Sequence, residues 1–404
     1  MYPNRPDLYS SEVKAADAVF IRQKGAVLLE RSLDSIVDNT LKICYRRYQG
    51  KSNESSLKKT KLNLVLFHGT GMNKGLWHYH INQLFEFFNT GKDNGTNLHL
   101  NVVCAFDAVN HGESAELNKS KLGYLYDWRD SSKDVVKVLT EDEAATFIEA
   151  ENKMSIIIGH SMGGFVSLYG TYLAPALFDS CILVNPVSHV SPSEYAERDM
   201  EFKVWYERNY MKDDFDIQDG SNWYNEIESF LKTKSFYRKF HPTVLANMLE
   251  DELPREVKLS PKAAYNKIKL NTTVEAQLHT YWGMIKSIPC GMPTFREIKV
   301  PVFHVVSDFD ISSDENRSFM RNNLLQVVQC INFPNSKHLL NGEEPDPLIQ
   351  LFTLIIQGRE IIHSRKTVID EEYLVKKYGK NYRKVLSDAR LESLIKNGAT
   401  TPKL

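Results

Sequence analysis

The sequence predicts an α/β fold with a mostly parallel central sheet and helices on both of its faces. Three observations carry that expectation. Short apolar runs alternate along the chain with stretches of helical periodicity, the pattern of strands buried on both faces. In "IIIGHSMGGFVSLYG" (156–170) one such run passes into a helical pattern through a single corner, with glycines flanking a serine. Between the fourth and fifth core runs lie roughly 110 residues, far beyond an ordinary crossover, so a helical cap is expected to be inserted there.

The elements follow in order. "NTLKICYRRYQG" (39–50) reads as an antiparallel strand, and the polar "KSNESSLKKTK" after it as a loop. "LNLVLFHG" (62–69) is the first core strand, and "NKGLWHYHINQLFEFF" (73–88) has helical spacing. "NVVCAFDAVNHG" (101–112) is the second strand, followed by a helix over "WRDSSKDVVKVLTEDEAATFI" (128–148). "KMSIIIGHS" (153–161) and "SCILVNPV" (180–187) are the third and fourth. "VPVFHVVSDFD" (300–310) and "LQVVQCINFPNSKH" (325–338) are the fifth and sixth. The insertion is rich in Trp, Tyr, Met and Leu at helical spacing, as in "MEFKVWYERNYM" and "PTVLANMLEDEL". The expected organisation is a core of 1–185 and 300–362, a cap of 186–299, and a C-terminal helical tail of 363–404. In the tail, Leu374, Tyr378, Tyr382, Leu386 and Ala389 recur at steps of three or four. Its Lys and Arg suit a peripheral contact with an acidic membrane surface, although a solvated helix docked on the body is the plainer expectation.

Composition bounds what the chain can do. Its apolar and charged fractions are those of a globular protein, and a net charge of −1 gives no reason to expect a nucleic-acid partner. Cys44, Cys104, Cys181, Cys290 and Cys330 form no C-x-x-C pair and lie mostly in apolar contexts, which suggests reduced thiols packed in a core. The stretch from Met1 to Lys14 is polar and of mixed charge, unlike a secretory signal, and no apolar run nears the ~20 residues of a membrane span.

Gly159-His160-Ser161-Met162-Gly163 matches G-x-S-x-G, the nucleophile elbow. So tight a turn strains the central residue, and side chains at Gly159 and Gly163 would collide with the strand and helix it joins. Ser161 then stands exposed above the sheet at the start of a helix. Where this elbow occurs, the partners follow in the chain order Ser, acid, His. "NSKHLLNGEEPDPLIQLF" puts His338 after the last strand, the best placed of the twelve histidines. His160, His68 and His111 are better read as structural, and His78 and His80 are too few and too close in sequence for a metal site. "VVSDFDISSDEN" offers Asp308, Asp310 and Asp314 as acids. Asp310 is preferred, three residues after the small Ser307, while the strand end before it carries Asn185, which cannot hold a charge. Two backbone N–H groups should receive the oxyanion: that of Met162, after the nucleophile, and that of Thr70, with Gly71 as its neighbouring candidate, in the His68-Gly69-Thr70-Gly71 turn.

Together G-H-S-M-G-G, H-G-T-G-M, D-A-V-N-H-G-E-S and N-S-K-H-L-L resemble the α/β-hydrolase superfamily, and more closely the fungal (yeast) peroxisomal serine lipase family. The resemblance covers roughly 60–185 and 300–360, and is looser over the cap. It implies the α/β-hydrolase fold, carboxylic ester hydrolysis on lipid substrates and no metal or organic cofactor. The ending Pro402-Lys403-Leu404 has the form of a peroxisomal address, which makes the import receptor an expected partner and the peroxisomal matrix the expected location. The same residues would also serve an acyl-CoA thioesterase or acyltransferase, or survive in a non-catalytic binding protein of this fold.

Overall fold

The computed structural model describes residues 5–28, 40–54, 56–90, 95–189, 202–217, 222–255, 266–310 and 314–368. The expected tail helix and Pro402, Lys403 and Leu404 lie outside the described residues. The chain divides into two compact units, 1–353 and 354–404. In the second, the described residues are 354–368, the C-terminal part of one helix.

The first unit is built on an eight-stranded sheet. Its strands are β1 (Tyr9–Asp17), β2 (Lys42–Gly50), β3 (Thr60–Phe67), β4 (Leu98–Phe106), β5 (Lys153–His160), β6 (Ser180–Val184), β9 (Val302–Phe309) and β10 (Val327–Lys337). They lie in the order β1-β2-β4-β3-β5-β6-β9-β10. From β4 to β10 all neighbours are parallel, whereas β1 and β2 are antiparallel additions at one edge. Residues 62–67 of β3 are buried without alternation, as befits a strand covered on both faces. The helices are α1 (His78–Asn89), α2 (Gly112–Asn118), α3 (Trp128–Thr140), α4 (Ala144–Phe147), α5 (Met162–Leu173), α6 (Trp223–Thr233), α7 (Pro242–Glu252), α8 (Val274–Gly291), α9 (Asp314–Asn323), α10 (Leu340–Glu343) and α11 (Pro345–Val368). Asp127 caps α3 by accepting the Arg129 N–H at 3.0 Å, and Trp128 then meets Phe165 of α5 edge to face at 5.7 Å.

Three sequence expectations need correction. β1 was not anticipated, because as an edge strand it buries little more than its ends and carries no period-2 signal. The segment between β6 and β9 is not wholly helical. It contains a two-stranded antiparallel sheet of β7 (Asp214–Ile217) and β8 (Asn266–Lys269), with Phe215, Ile217 and Ile268 turned inward between charged residues. The thiols are also less uniform than expected: Cys44, Cys104 and Cys181 are buried, but Cys290 near the end of α8 and Cys330 on the edge strand β10 are exposed.

The insertion is fastened to the sheet by buried charge. Lys74 Nζ is fully buried and lies 2.8 Å from Asp107, 2.7 Å from Glu113 and 3.3 Å from Asp251 of α7. Arg46 reaches Asp251 at 2.7 Å. Next along α7, Glu252 accepts hydrogen bonds from Asn73 Nδ2 at 2.8 Å and from the Thr272 amide and hydroxyl at 2.8 and 2.7 Å. Removing the shared cation strands carboxylates away from water. Lys74→Met is therefore expected to lower stability by about 3–5 kcal/mol, read as a fall in the urea midpoint.

Candidate active site

The elbow is formed as strand β5 turns into α5. Ser161 sits between them at φ 54°, ψ −117°, a conformation costing about 1–3 kcal/mol for a non-glycine residue. Neighbouring backbone holds it there: the Ser161 N–H donates to the Val184 carbonyl at 3.1 Å, and the Val187 N–H donates to the Ser161 carbonyl at 3.1 Å. A Cβ on Gly159 would fall 2.0 Å from the Gly163 carbonyl oxygen, and one on Gly163 2.3 Å from that of Phe67. Both glycines are thus required by clearance.

The structure brings the three distant side chains together. His338 follows β10, and its Nε2 lies 2.9 Å from Ser161 Oγ. Its Nδ1 lies 2.5 Å from Asp310 Oδ1, just beyond the end of β9. The Asp310 side chain is 1% exposed and that of His338 11%, so little water reaches the array. Asp308 points elsewhere: its carboxylate accepts from Asn332 Nδ2 and, at 3.0 Å, from the Asn335 amide, bracing the end of β10. The side chain of Asp314 is outside the described residues.

The turn after β3 passes against the elbow, where a Cβ on Gly69 would lie 3.1 Å from Ser161 Cβ. The Thr70 hydroxyl lies 3.8 Å from Met162 Sδ. Among the described residues, neither the Thr70 nor the Met162 amide N–H has a backbone acceptor. Gly71 differs and must be struck from the donor set: its N–H donates to His111 Nε2 at 3.0 Å. His68 and His111 are buried hydrogen-bonding groups. His68 Nε2 accepts the Ala108 N–H at 3.0 Å, and His111 Nδ1 pairs with Asn110 Oδ1 at 2.8 Å. Burial holds His68 at about 4 and His160 at about 3.

Two residues hold the backbone of His338, and sequence reasoning had given neither that task. His160 Nε2 contacts the His338 carbonyl at 2.8 Å. Asn185 Nδ2 donates to the carbonyls of Lys337 at 3.2 Å and His338 at 3.0 Å, while its Oδ1 accepts the Ser307 amide at 2.8 Å. In the sequence Asn185 stands out only for lacking a charge. An amide suits the place because it must donate and accept at once.

The chain belongs to the Alpha/beta hydrolase family, whose model matches residues 64–351. That membership supports hydrolytic chemistry. The chain is 28% identical over 318 residues to the Peroxisomal membrane protein LPX1 of Saccharomyces cerevisiae, covering 77% of this chain and 79% of that one. The solved structure of the peroxisomal alpha-beta-hydrolase Lpx1 of Saccharomyces cerevisiae superposes with a TM-score of 0.74 at 24% identity, over 98% of this chain and 99% of that one, a likeness of fold. Over 155 residues the chain is also 26% identical to the Type I acyl-CoA thioesterase mpaH of Penicillium roqueforti, covering 38% of this chain and 33% of that protein.

Two expectations follow for stability. Asn185→Asp would turn a buried donor into a carboxylate facing two carbonyl oxygens, so a loss of about 3 kcal/mol or more is expected in urea unfolding. The second concerns pH. Burial holds His68 at about 4 and His78, His80 and His160 at about 3, below the ordinary 6.5. A histidine depressed in the folded state takes up a proton on unfolding. Its contribution is complete above pH 6.5 and is lost as pH falls toward the folded value. Glu252, raised by burial from 4.5 to about 7, acts oppositely. Asp107, raised by burial from 3.8 to about 6, does the same. Four histidines outweigh two carboxyls, so unfolding free energy should fall between pH 7 and pH 5, by about 1.4 kcal/mol per pH unit for each net proton.

Proposed function

We propose that the protein is a serine hydrolase that cleaves carboxylic esters of lipids, of the triacylglycerol lipase or phospholipase kind, through an acyl-enzyme. The hydrogen-bonded chain from Ser161 through His338 to Asp310 carries the reading. His338 Nε2 takes the proton of Ser161 Oγ as that oxygen attacks the ester carbonyl. Asp310 keeps His338 in the tautomer that presents a free Nε2, and stabilises the imidazolium that forms. The tetrahedral oxyanion is received by the Thr70 and Met162 amides. His338 then protonates the leaving alcohol. Water then gives a proton to the same nitrogen as its oxygen attacks the acyl carbonyl; the bond from Ser161 Oγ to the acyl carbon breaks, His338 returns the proton to Oγ, and the acid leaves. In this reading the segment 186–299 caps the site and shapes the acyl pocket.

A thioester or acyl-transfer reaction would use the same groups, and the partial likeness to an acyl-CoA thioesterase favours keeping it as the second reading. A non-catalytic binding protein has less support, because the three side chains are joined in the arrangement that catalysis requires. We also propose the peroxisome as location, on the name of the Saccharomyces cerevisiae relative and the form of Pro402-Lys403-Leu404, with the import receptor as partner and the matrix as destination. No helix among the described residues is long and apolar enough to cross a membrane.

Assays of p-nitrophenyl esters, triacylglycerol and acyl-CoA with wild type and Ser161→Ala test the reading. Ester turnover is expected to dominate and to fall at least ~10³-fold in Ser161→Ala. Acyl-CoA turnover well above that of esters would select the thioesterase. A wild type that takes up no fluorophosphonate at Ser161 would leave only the binding protein.

A further inference from the structure

We infer that the segment from Tyr237 to His241 is a strap that sets the geometry of the oxyanion turn, with Tyr237 as its positioning residue. The inference rests on the serine-hydrolase reading and assigns a task to the insertion within it.

The turn from Gly69 to Met72 is closed by the Met72 N–H donating to the Gly69 carbonyl at 3.2 Å. Gly71 within it has φ +79°, a conformation few side chains tolerate. The sheet side of the molecule holds Gly71 through its N–H, bonded to His111 Nε2 at 3.0 Å. The insertion holds the other pole, where the buried Tyr237 hydroxyl donates to the Gly71 carbonyl. A Cβ on Gly71 would fall 2.8 Å from that hydroxyl oxygen and 2.8 Å from Gln277 Oε1, so the insertion lies directly on the turn. Thr70 is thereby fixed from both sides by its neighbour.

Three and four residues further on, the same segment reaches the other half of the site. The His241 N–H donates to the Gly342 carbonyl at 2.8 Å, and a Cβ on Gly342 would fall 2.4 Å from the Phe240 ring. Gly342 lies in α10, immediately beyond His338. Tyr237 and Phe240 are in edge contact with each other, ring centroids 5.2 Å apart. One short stretch therefore ties the turn that presents the Thr70 amide to the turn that presents His338. An oxyanion donor is effective only within about 2.7–3.1 Å of the developing charge, so a loosened turn should weaken transition-state binding while leaving ground-state binding in place.

The test is Tyr237→Phe, which keeps the ring and removes the hydroxyl. The strap predicts a kcat lower by ~10–100-fold with KM within about threefold, short of the ~10²–10³ of deleting a donor outright. Affinity for a boronic acid that forms a tetrahedral adduct on Ser161 should fall by the same factor as kcat, which a merely structural role would not produce. Phe240→Leu loosens the other anchor without touching Gly71, and should lower kcat in the same direction. If Tyr237→Phe fails to fold, Phe240→Leu carries the test alone. Unchanged kcat and boronate affinity in a folded variant, or a rise in KM alone, overturns the strap. A wild type inert toward both esters and fluorophosphonate brings down the parent reading, and the strap with it; an active wild type with indifferent variants removes the strap only.

Discussion

Everything at this site depends on one residue held in a conformation it would not choose. Ser161 at φ 54° stores strain that an isolated strand and helix could not sustain. The end of β6 supplies the restraint through Val184 and Val187, and two glycines supply the room. The result is a hydroxyl lifted above the sheet at the start of α5. The parallel order of β3, β5, β6, β9 and β10 then does the rest. Each strand ends on the same edge, so the turns carrying Thr70, Asn185, Asp310 and His338 converge although they lie far apart in sequence.

Convergence alone would leave His338 at the end of a mobile turn. Its carbonyl is gripped by Asn185 and His160, and Asp308 braces the end of β10 that leads to it. These contacts account for several polar residues near a water-poor site. Most of its histidines are kept neutral by burial and act as ordinary hydrogen-bonding groups. His338 is set apart by position: it alone has a carboxylate on one ring nitrogen and the elbow hydroxyl on the other.

The site was legible where chemistry depends on chain order and strand ends. Ser161, His338 and Asp310 could be named because a parallel sheet leaves few places from which their side chains can meet. Core strands were legible because burial on both faces removes polar residues from them. What escaped was set by tertiary pairing. β1 draws its hydrogen bonds from β2 and needs no pattern of its own, and β7 and β8 are four-residue strands whose partners lie some fifty positions apart. The engagement of the Gly71 amide depends on His111, on another turn, and nothing in the H-G-T-G motif announces it.

The insertion has the least sequence signal, yet it bonds to Gly71, next to Thr70, and to Gly342, in the helix that follows His338. Its α7 is fixed to the sheet's loops by Lys74, Asp107 and Asp251, an arrangement whose desolvation makes it a poor source of stability but a specific one. Asp251 lies in the last turn of α7, so these buried charges fix the C-terminal end of that helix against the sheet's loops. Pro242 opens that helix, and His241 caps it by accepting the Thr243 N–H at 3.3 Å. The residues just before it, Tyr237 to His241, are therefore anchored at their C-terminal end before they meet Gly71 and Gly342. A short segment that runs into an anchored helix at one end can hold two turns at a fixed separation along its length. Rigidity of the insertion and geometry of the oxyanion turn are, on this view, one property of the fold.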